Sequence, residues 1–223
     1  MYDSTIVMLL PAFLFAMWAR YNVTSTFEKY SRVKTRSGAT AAEVARMLLD
    51  KAGLSNVAVN RVKGSLTDNY DPIRRVINLS DAVYGSCSIA SFGVAAHECG
   101  HAIQHKLEYS PLMTRNAIVP IVNIGSVLAM PLFFIGFIFS YLGLMTLGVI
   151  LFSGVVIFHL ITLPVEFNAS SRALSILSST GTLSKDELVG ADTVLRAAAW
   201  TYIGATLVAV MHLLRFIILR NQQ

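Results

Sequence analysis

Long apolar runs alternate along the chain with stretches in which polar and apolar residues interleave. The first run, "TIVMLLPAFLFAMWARY" from Thr5 to Tyr21, ends on Trp18, Arg20 and Tyr21, a girdle suited to a membrane–water interface. No basic residue precedes it and no small-x-small cleavage pattern follows, so it is expected to be a retained helix, not a secretory signal. From Ala117 to Val165 there is no charged residue. A bilayer crossing needs roughly 20 mostly apolar residues, so this run is too long for one span. "SYLG", Ser140 to Gly143, is a natural turn and splits it into a helical hairpin. The run from Arg196 to Arg220 is the last. The expected spans are thus 5–21, 118–140, 144–165 and 197–219.

The interleaved stretches, 22–116 and 166–195, read differently. Thr40 with Glu43 three residues on forms a capping box, and Val44, Met47 and Leu48 make an apolar stripe that Gly53 ends, predicting a short amphipathic helix. "VAVNRV" (57–62) and "RRVINLS" (74–80) read as strands of a small antiparallel hairpin or sheet, with the turn-rich "GSLTDNYDP" (64–72) between them. Val76–Leu79 is a candidate edge strand to which an extended substrate could be added. Ser88 to Leu107 reads as one helix, "PVEFNASSRALSIL" as another, and Ser184 with Glu187 as a second capping box leading into the last span.

Composition supports lipid as part of the solvent. Charged residues are 14% of the 223, against about 25% in ordinary soluble domains. The net charge is +5, and because the bases flank apolar spans the expected partner is the anionic headgroup surface of a lipid bilayer rather than nucleic acid. The bases at 29 to 36 read as a headgroup-facing anchor. Of the 18 Lys and Arg residues, all but Arg215 and Arg220 fall on the side of the two interleaved loops. The positive-inside rule then places both loops in the cytoplasm and both termini outside. Cys87 and Cys99 are read as reduced, and Cys99 as a packing residue.

Three of the five histidines lie within "AAHECGHAIQH", residues 95–105. Positions four apart on a helix lie one above the other, so His97 and His101 present two imidazoles to one point, a pair that suits zinc. Glu98 is rotated around the helix, from where it can reach a water on the metal without occupying a ligand place. Zinc lowers that water's pKa towards 7, and Glu98 is the candidate general base. A catalytic zinc usually takes three protein ligands. His105 continues the same face but lies about 6 Å further along the axis. Glu166 is the better third ligand: it is the only carboxylate between Glu108 and Asp186, just where the third span is expected to reach the cytosol.

The segments "GVAAHECGHAIQH", "LTDNYDP" and "LPVEFNASSRAL", with this order of spans, resemble the bacterial neutral zinc metallopeptidase family of the YugP type over nearly the whole chain. "HECGH" and "EFNAS" are also similar to segments of the HtpX-like membrane proteases, gluzincins in which a downstream Glu on a second helix is the third ligand. The resemblance implies His97, His101 and Glu166 as Zn2+ ligands and Glu98 as the catalytic base. It implies a mainly α membrane protein, residues 1–223 forming one domain of four transmembrane helices with a small cytosolic α+β gluzincin-like zinc-peptidase unit. HtpX-like proteins carry Asp four residues after the ligand Glu, where this chain has Ser170, so Ser170 or Asn168 would support a ligand histidine. Asn69 stands where nearer relatives often have His and is given no metal role.

The expected activity is zinc-dependent endopeptidase cleavage of membrane or membrane-proximal proteins at the bacterial inner (plasma) membrane, the site facing the cytoplasm. The substrate would be a protein or peptide. Arg172, Tyr70, Tyr84 and Tyr109 are all candidates to stabilise the oxyanion. His159 and His212 lie inside spans, as functional groups or as hydrogen-bonded structural ones. The competing expectation is a non-catalytic membrane scaffold or adaptor with a structural zinc, which would tolerate Glu98→Gln. Metal transport is the weaker alternative, because the spans hold only His159, His212 and Arg215 as ionisable groups.

Overall fold

The computed structural model describes residues 4–223. A 3-10 turn, Ser4–Leu9, leads into α1, Leu10–Ser31, with Pro11 in its first turn where no intrahelical N–H is needed. α2 (Ala41–Lys51) follows, then strands β1 (Ala58–Val62), β2 (Asn69–Asp71) and β3 (Val76–Ser80), and the single turn α3 (Asp81–Tyr84). The rest is helical: α4 (Ile89–Lys106), α5 (Ser110–Ile138), α6 (Leu142–Ser179) and α7 (Lys185–Asn221). Among the described residues, Thr5–Ser31, α5, α6 and α7 are long and apolar enough to cross a membrane.

The chain divides into two compact units. One comprises Met1–Arg20, Ser110–Pro164 and Trp200–Gln223. Its helices approach closely where side chains are absent: a Cβ on Gly148 would lie 2.9 Å from the Ala129 carbonyl, and one on Gly136 would lie 2.7 Å from the Met145 nitrogen. Small residues allow this in lipid, where helix association rests on van der Waals contact. Phe133 and Phe216 stack with centroids 4.1 Å apart. Ser140, in the turn between α5 and α6, adopts the left-handed φ of 52°. His212 meets Phe13 and Phe152 edge-on, and its buried Nδ1 has no hydrogen-bond partner among the described residues.

The other unit comprises Tyr21–Tyr109 and Val165–Ala199. Its core gathers Leu48 and Leu49 of α2, Ile77 and Leu79 of β3, Phe92 and Ala96 of α4, and Leu177 of α6. α2 has the expected reciprocal cap: Glu43 N–H donates to the Thr40 hydroxyl, and Glu43 Oε2 accepts from Thr40 N–H at 2.8 Å. The second cap also forms, Ser184 N–H donating to Glu187 Oε2 at 2.7 Å. Arg46 donates to the carbonyls of Leu54 and Val57, tying α2 to the loop that enters β1.

The sheet departs from a simple antiparallel hairpin. Its order is β1-β3-β2: β1 pairs parallel with β3, and β2 pairs antiparallel with it. The turn-rich stretch itself supplies β2, its bends absorbed by left-handed φ at Leu66 (57°) and Arg75 (54°). β3 is therefore central, with both edges taken, and is not the edge strand expected of Val76–Leu79. Its pattern of four buried residues out of five fits a central strand. α6 is a second departure. The span expected at 144–165 and the separate helix beginning at Pro164 are one uninterrupted helix, with Pro164 inside it.

Candidate metal centre

Ser88 caps α4, its hydroxyl accepting from Ser91 N–H, and the helix is buried along most of its length. Apolar burial on several faces fixes its rotation, so the few polar side chains it carries must meet partners. One turn apart, the His97 and His101 rings stand nearly perpendicular, 87°, with centroids 4.7 Å apart. Gly100 lies between them on α4. A Cβ there would sit 2.5 Å from the Ala169 carbonyl, so only glycine lets α4 and α6 come this close. That approach carries Glu166 of α6 to the two imidazoles.

Glu166 Oε2 lies 3.2 Å from His97 Nε2 and 3.5 Å from His101 Nε2. The three potential donor atoms all fall within 4.8 Å of one another, and His97, His101 and Glu166 are the group that could hold a metal ion among the described residues. Ligands bound tetrahedrally at about 2.0–2.1 Å stand roughly 3.3–3.4 Å from each other. The separations of 3.2 and 3.5 Å lie on either side of that value, so the set fits zinc by distance and by donor type, two imidazole nitrogens and one carboxylate oxygen.

Glu98 is 7% exposed. Burial pushes its carboxyl above the ordinary carboxylate range, and charge on His97 and His101 pulls part of the way back. Burial by itself would lower the His101 imidazole, but the hydrogen bond to Glu166 and the charges of Glu98 and Glu166 outweigh it and hold it above its usual value. Asp68 also acts on Glu98 through its charge. It accepts from the Ser80 N–H at 2.7 Å and the Ser80 hydroxyl at 3.0 Å, and burial raises its own carboxyl.

Each histidine has a partner on its second nitrogen. Ser170 Oγ lies 3.1 Å from His97 Nδ1, in the place suggested for it by the sequence. Gln104 Oε1 lies 3.0 Å from His101 Nδ1. Gln104 and Asp68 are the residues that sequence reasoning missed. Gln104 had a signal: it stands three residues after His101, a neighbouring position on a helix face, as an amide in a buried apolar helix.

The remaining candidates are not among the three grouped residues. His105 is outside the cluster, and its Nδ1 pairs with the Tyr70 hydroxyl at 2.9 Å. Cys99 is fully buried, its thiol against the Ala45 carbonyl at 3.6 Å, as expected of a packing residue. Asn69 accepts from the Asn78 amide. Arg172 donates from Nε to Asn168 Oδ1 at 2.7 Å. Tyr84 packs against the core beside α2, and Tyr109 N–H closes the end of α4 on the Gln104 carbonyl.

A family model described as "Putative neutral zinc metallopeptidase" matches residues 5–221. The chain belongs to this family. It is also similar to a protein of Bacillus subtilis (strain 168) named "Putative membrane protease YugP", with 50% identity over 214 residues that cover 96% of this chain and 95% of that one. No solved structure matches. Membership in a zinc metallopeptidase family agrees with the chemistry of the donor set, and four apolar helices agree with a multi-pass membrane protein.

Proposed function

We propose that the protein is a zinc metalloendopeptidase of the gluzincin type, embedded in the bacterial inner membrane with its site facing the cytoplasm. The observation that carries this reading is the convergence of His97 Nε2, His101 Nε2 and Glu166 Oε2 at zinc-like separations beside a buried carboxylate outside that group, Glu98. The "HECGH" order supports it: two ligands, and between them a base.

Zinc held by His97, His101 and Glu166 would supply Lewis acidity toward a water and the scissile carbonyl. Glu98 takes the proton of the attacking water. It returns that proton to the amide nitrogen as the C–N bond breaks. Ser170 and Gln104 hold the two imidazoles in orientation. Membrane or membrane-adjacent proteins are the substrate class, on the ground that the spans confine the enzyme to the bilayer. The orientation rests on the distribution of basic residues, all but Arg215 and Arg220 lying on the side of residues 22–116 and 166–195.

The test compares zinc-loaded wild type with Glu98→Gln in detergent, offering both the same unfolded membrane protein and reading fragments by mass spectrometry. The expected result is cleavage by wild type and a loss of about 10²–10⁴-fold in the variant with zinc retained. Equal cleavage by the two would remove Glu98 from its role. A folded, zinc-loaded wild type that cuts none of a broad substrate set would return the structural-zinc alternative.

A further inference from the structure

Gln104 is fully buried and makes three hydrogen bonds, each to a different kind of partner. Its Oε1 faces His101 Nδ1 at 3.0 Å, and its Nε2 donates to the Val165 carbonyl at 2.8 Å and to Asn168 Oδ1 at 3.0 Å. We propose that Gln104 is a positioning residue that imposes one tautomer on His101, with its own orientation locked by the Val165 carbonyl and, through Asn168, by Arg172. The inference rests on the reading of His101 as a zinc ligand and names the residue that decides which of its nitrogens does the binding.

An arginine Nε–H can only donate, so Asn168 must turn its oxygen to Arg172. That oxygen then accepts from Gln104 as well, which requires the Gln104 NH₂ to face it. The Val165 carbonyl, which can only accept, makes the same demand independently. With both amide hydrogens spoken for, Gln104 has only its carbonyl oxygen left for His101. A carbonyl oxygen accepts, so His101 must carry its hydrogen on Nδ1. The Nε2 lone pair is thereby freed, and Nε2 is the atom 3.5 Å from Glu166 Oε2.

His97 differs. Its Nδ1 meets the hydroxyl of Ser170, which can donate or accept by rotating. Nothing on that side dictates a tautomer. The two imidazoles are therefore held with unequal strictness, His101 by a chain with a fixed direction and His97 by an adaptable one. Gln104 has a second consequence: through Val165 it binds α4 to α6 one residue before Glu166, so the orientation of one ligand and the placement of another share one side chain.

Two measurements test this on the full-length protein in detergent. The first is the ¹H–¹⁵N spectrum of zinc-loaded wild type labelled on histidine nitrogen. It should show a slowly exchanging Nδ1–H on His101 and zinc on Nε2. A zinc-bound Nδ1 on His101 would overturn the proposal, whether or not any variant folds. The second is zinc affinity by chelator competition. Gln104→Met keeps the volume and removes every hydrogen bond, and should weaken binding by about 10–100-fold. Arg172→Met removes only one of the two locks and should cost less, while Ser170→Ala should leave the His101 Nδ1–H signal in place. A folded Gln104→Met with wild-type affinity overturns the role of Gln104 alone. Wild type that binds no zinc overturns the metal reading itself, and the role of Gln104 with it.

Discussion

Both units of this protein are built mainly from helices, yet they treat apolar residues in opposite ways. In the unit formed by Met1–Arg20, Ser110–Pro164 and Trp200–Gln223, large apolar side chains point outward: Ile121 is 73% exposed, Ile124 65% and Val127 71%. In the unit of Tyr21–Tyr109 and Val165–Ala199, the apolar side chains form the interior and enclose Glu98, His101, Gln104 and Glu166, all buried. The outward-facing apolar surface suits lipid and demands little of its neighbours. A buried charge or amide demands a specific partner at hydrogen-bond distance, or costs several kcal/mol. The same difference decides what each close helix approach is for. Gly148 lets two apolar helices pack, whereas Gly100 brings together the helices that carry His97, His101 and Glu166.

A methyl group added at each of the two glycines should act differently in the two units. Gly100→Ala places a Cβ 2.5 Å from the Ala169 backbone oxygen, which cannot swing aside. Zinc binding should fall by orders of magnitude, as read by metal content after gel filtration. Gly148→Ala should cost stability, about 1–3 kcal/mol as for other overpacked sites, and leave zinc content unchanged. Loss of zinc in both variants would mean that the two approaches are not separable.

Charge on exposed apolar residues gives the next largest contrast. Ile73 is 92% exposed in the turn before β3, and Ile124 is 65% exposed in the middle of α5. If α5 faces lipid, Ile124→Asp should cost about 2.5–3.5 kcal/mol, seen as poor membrane insertion. Ile73→Asp should stay within about 0.5 kcal/mol, as surface changes do. Equal tolerance at the two sites would contradict a lipid environment for α5.

A third prediction concerns pH. Burial raises Glu98 above its ordinary value, so the folded metal-free protein holds this proton more tightly than the unfolded chain does. Stability should then decline as pH rises from about 4.3 through the raised value, because the ionised carboxylate is disfavoured in the fold. Glu98→Gln removes that penalty. The metal-free variant should melt higher than wild type at neutral pH, and the gap should close below about pH 4 in thermal melts. A gap that widened with acid would reverse the sign. The smallest effect is chemical: burial pushes the Cys99 thiol well above its usual range, whereas Cys87 is only partly buried. A thiol reagent should label Cys87 in the native protein and reach Cys99 only after unfolding.

What could be read in the sequence follows the same divide. The spans were legible because a bilayer demands a long apolar run, which shows in composition alone. The capping boxes at Thr40 and Ser184 and the helix from Ser88 were legible because their signals lie within a few residues of each other. His97 and His101 stand out by spacing and Glu166 as a lone carboxylate, and their potential donor atoms lie within 4.8 Å of one another. Less legible were features set by distant partners. β2 hides in a run of turn residues, and its pairing with β3, like the parallel pairing of β1, is set by tertiary contacts. The expected span at 144–165 and the helix expected from Pro164 are one helix, because bilayer length limits the span and not the helix, which runs on to Ser179. Gln104 reads as one more polar residue until its three partners are in view.

Whether α4 and α6 hold one metal ion between them is decided by the atoms that surround it. Zinc K-edge X-ray absorption and metal content, measured on wild type and on Glu166→Ala, report whether residues from α4 and α6 share one ion. Wild type should hold one equivalent of zinc, bound by two imidazoles and carboxylate oxygen, and the variant should show a fall in affinity of at least about 10-fold with a changed shell. Identical zinc content and an identical shell in both proteins, or a wild type without zinc, would contradict a metal site shared by α4 and α6.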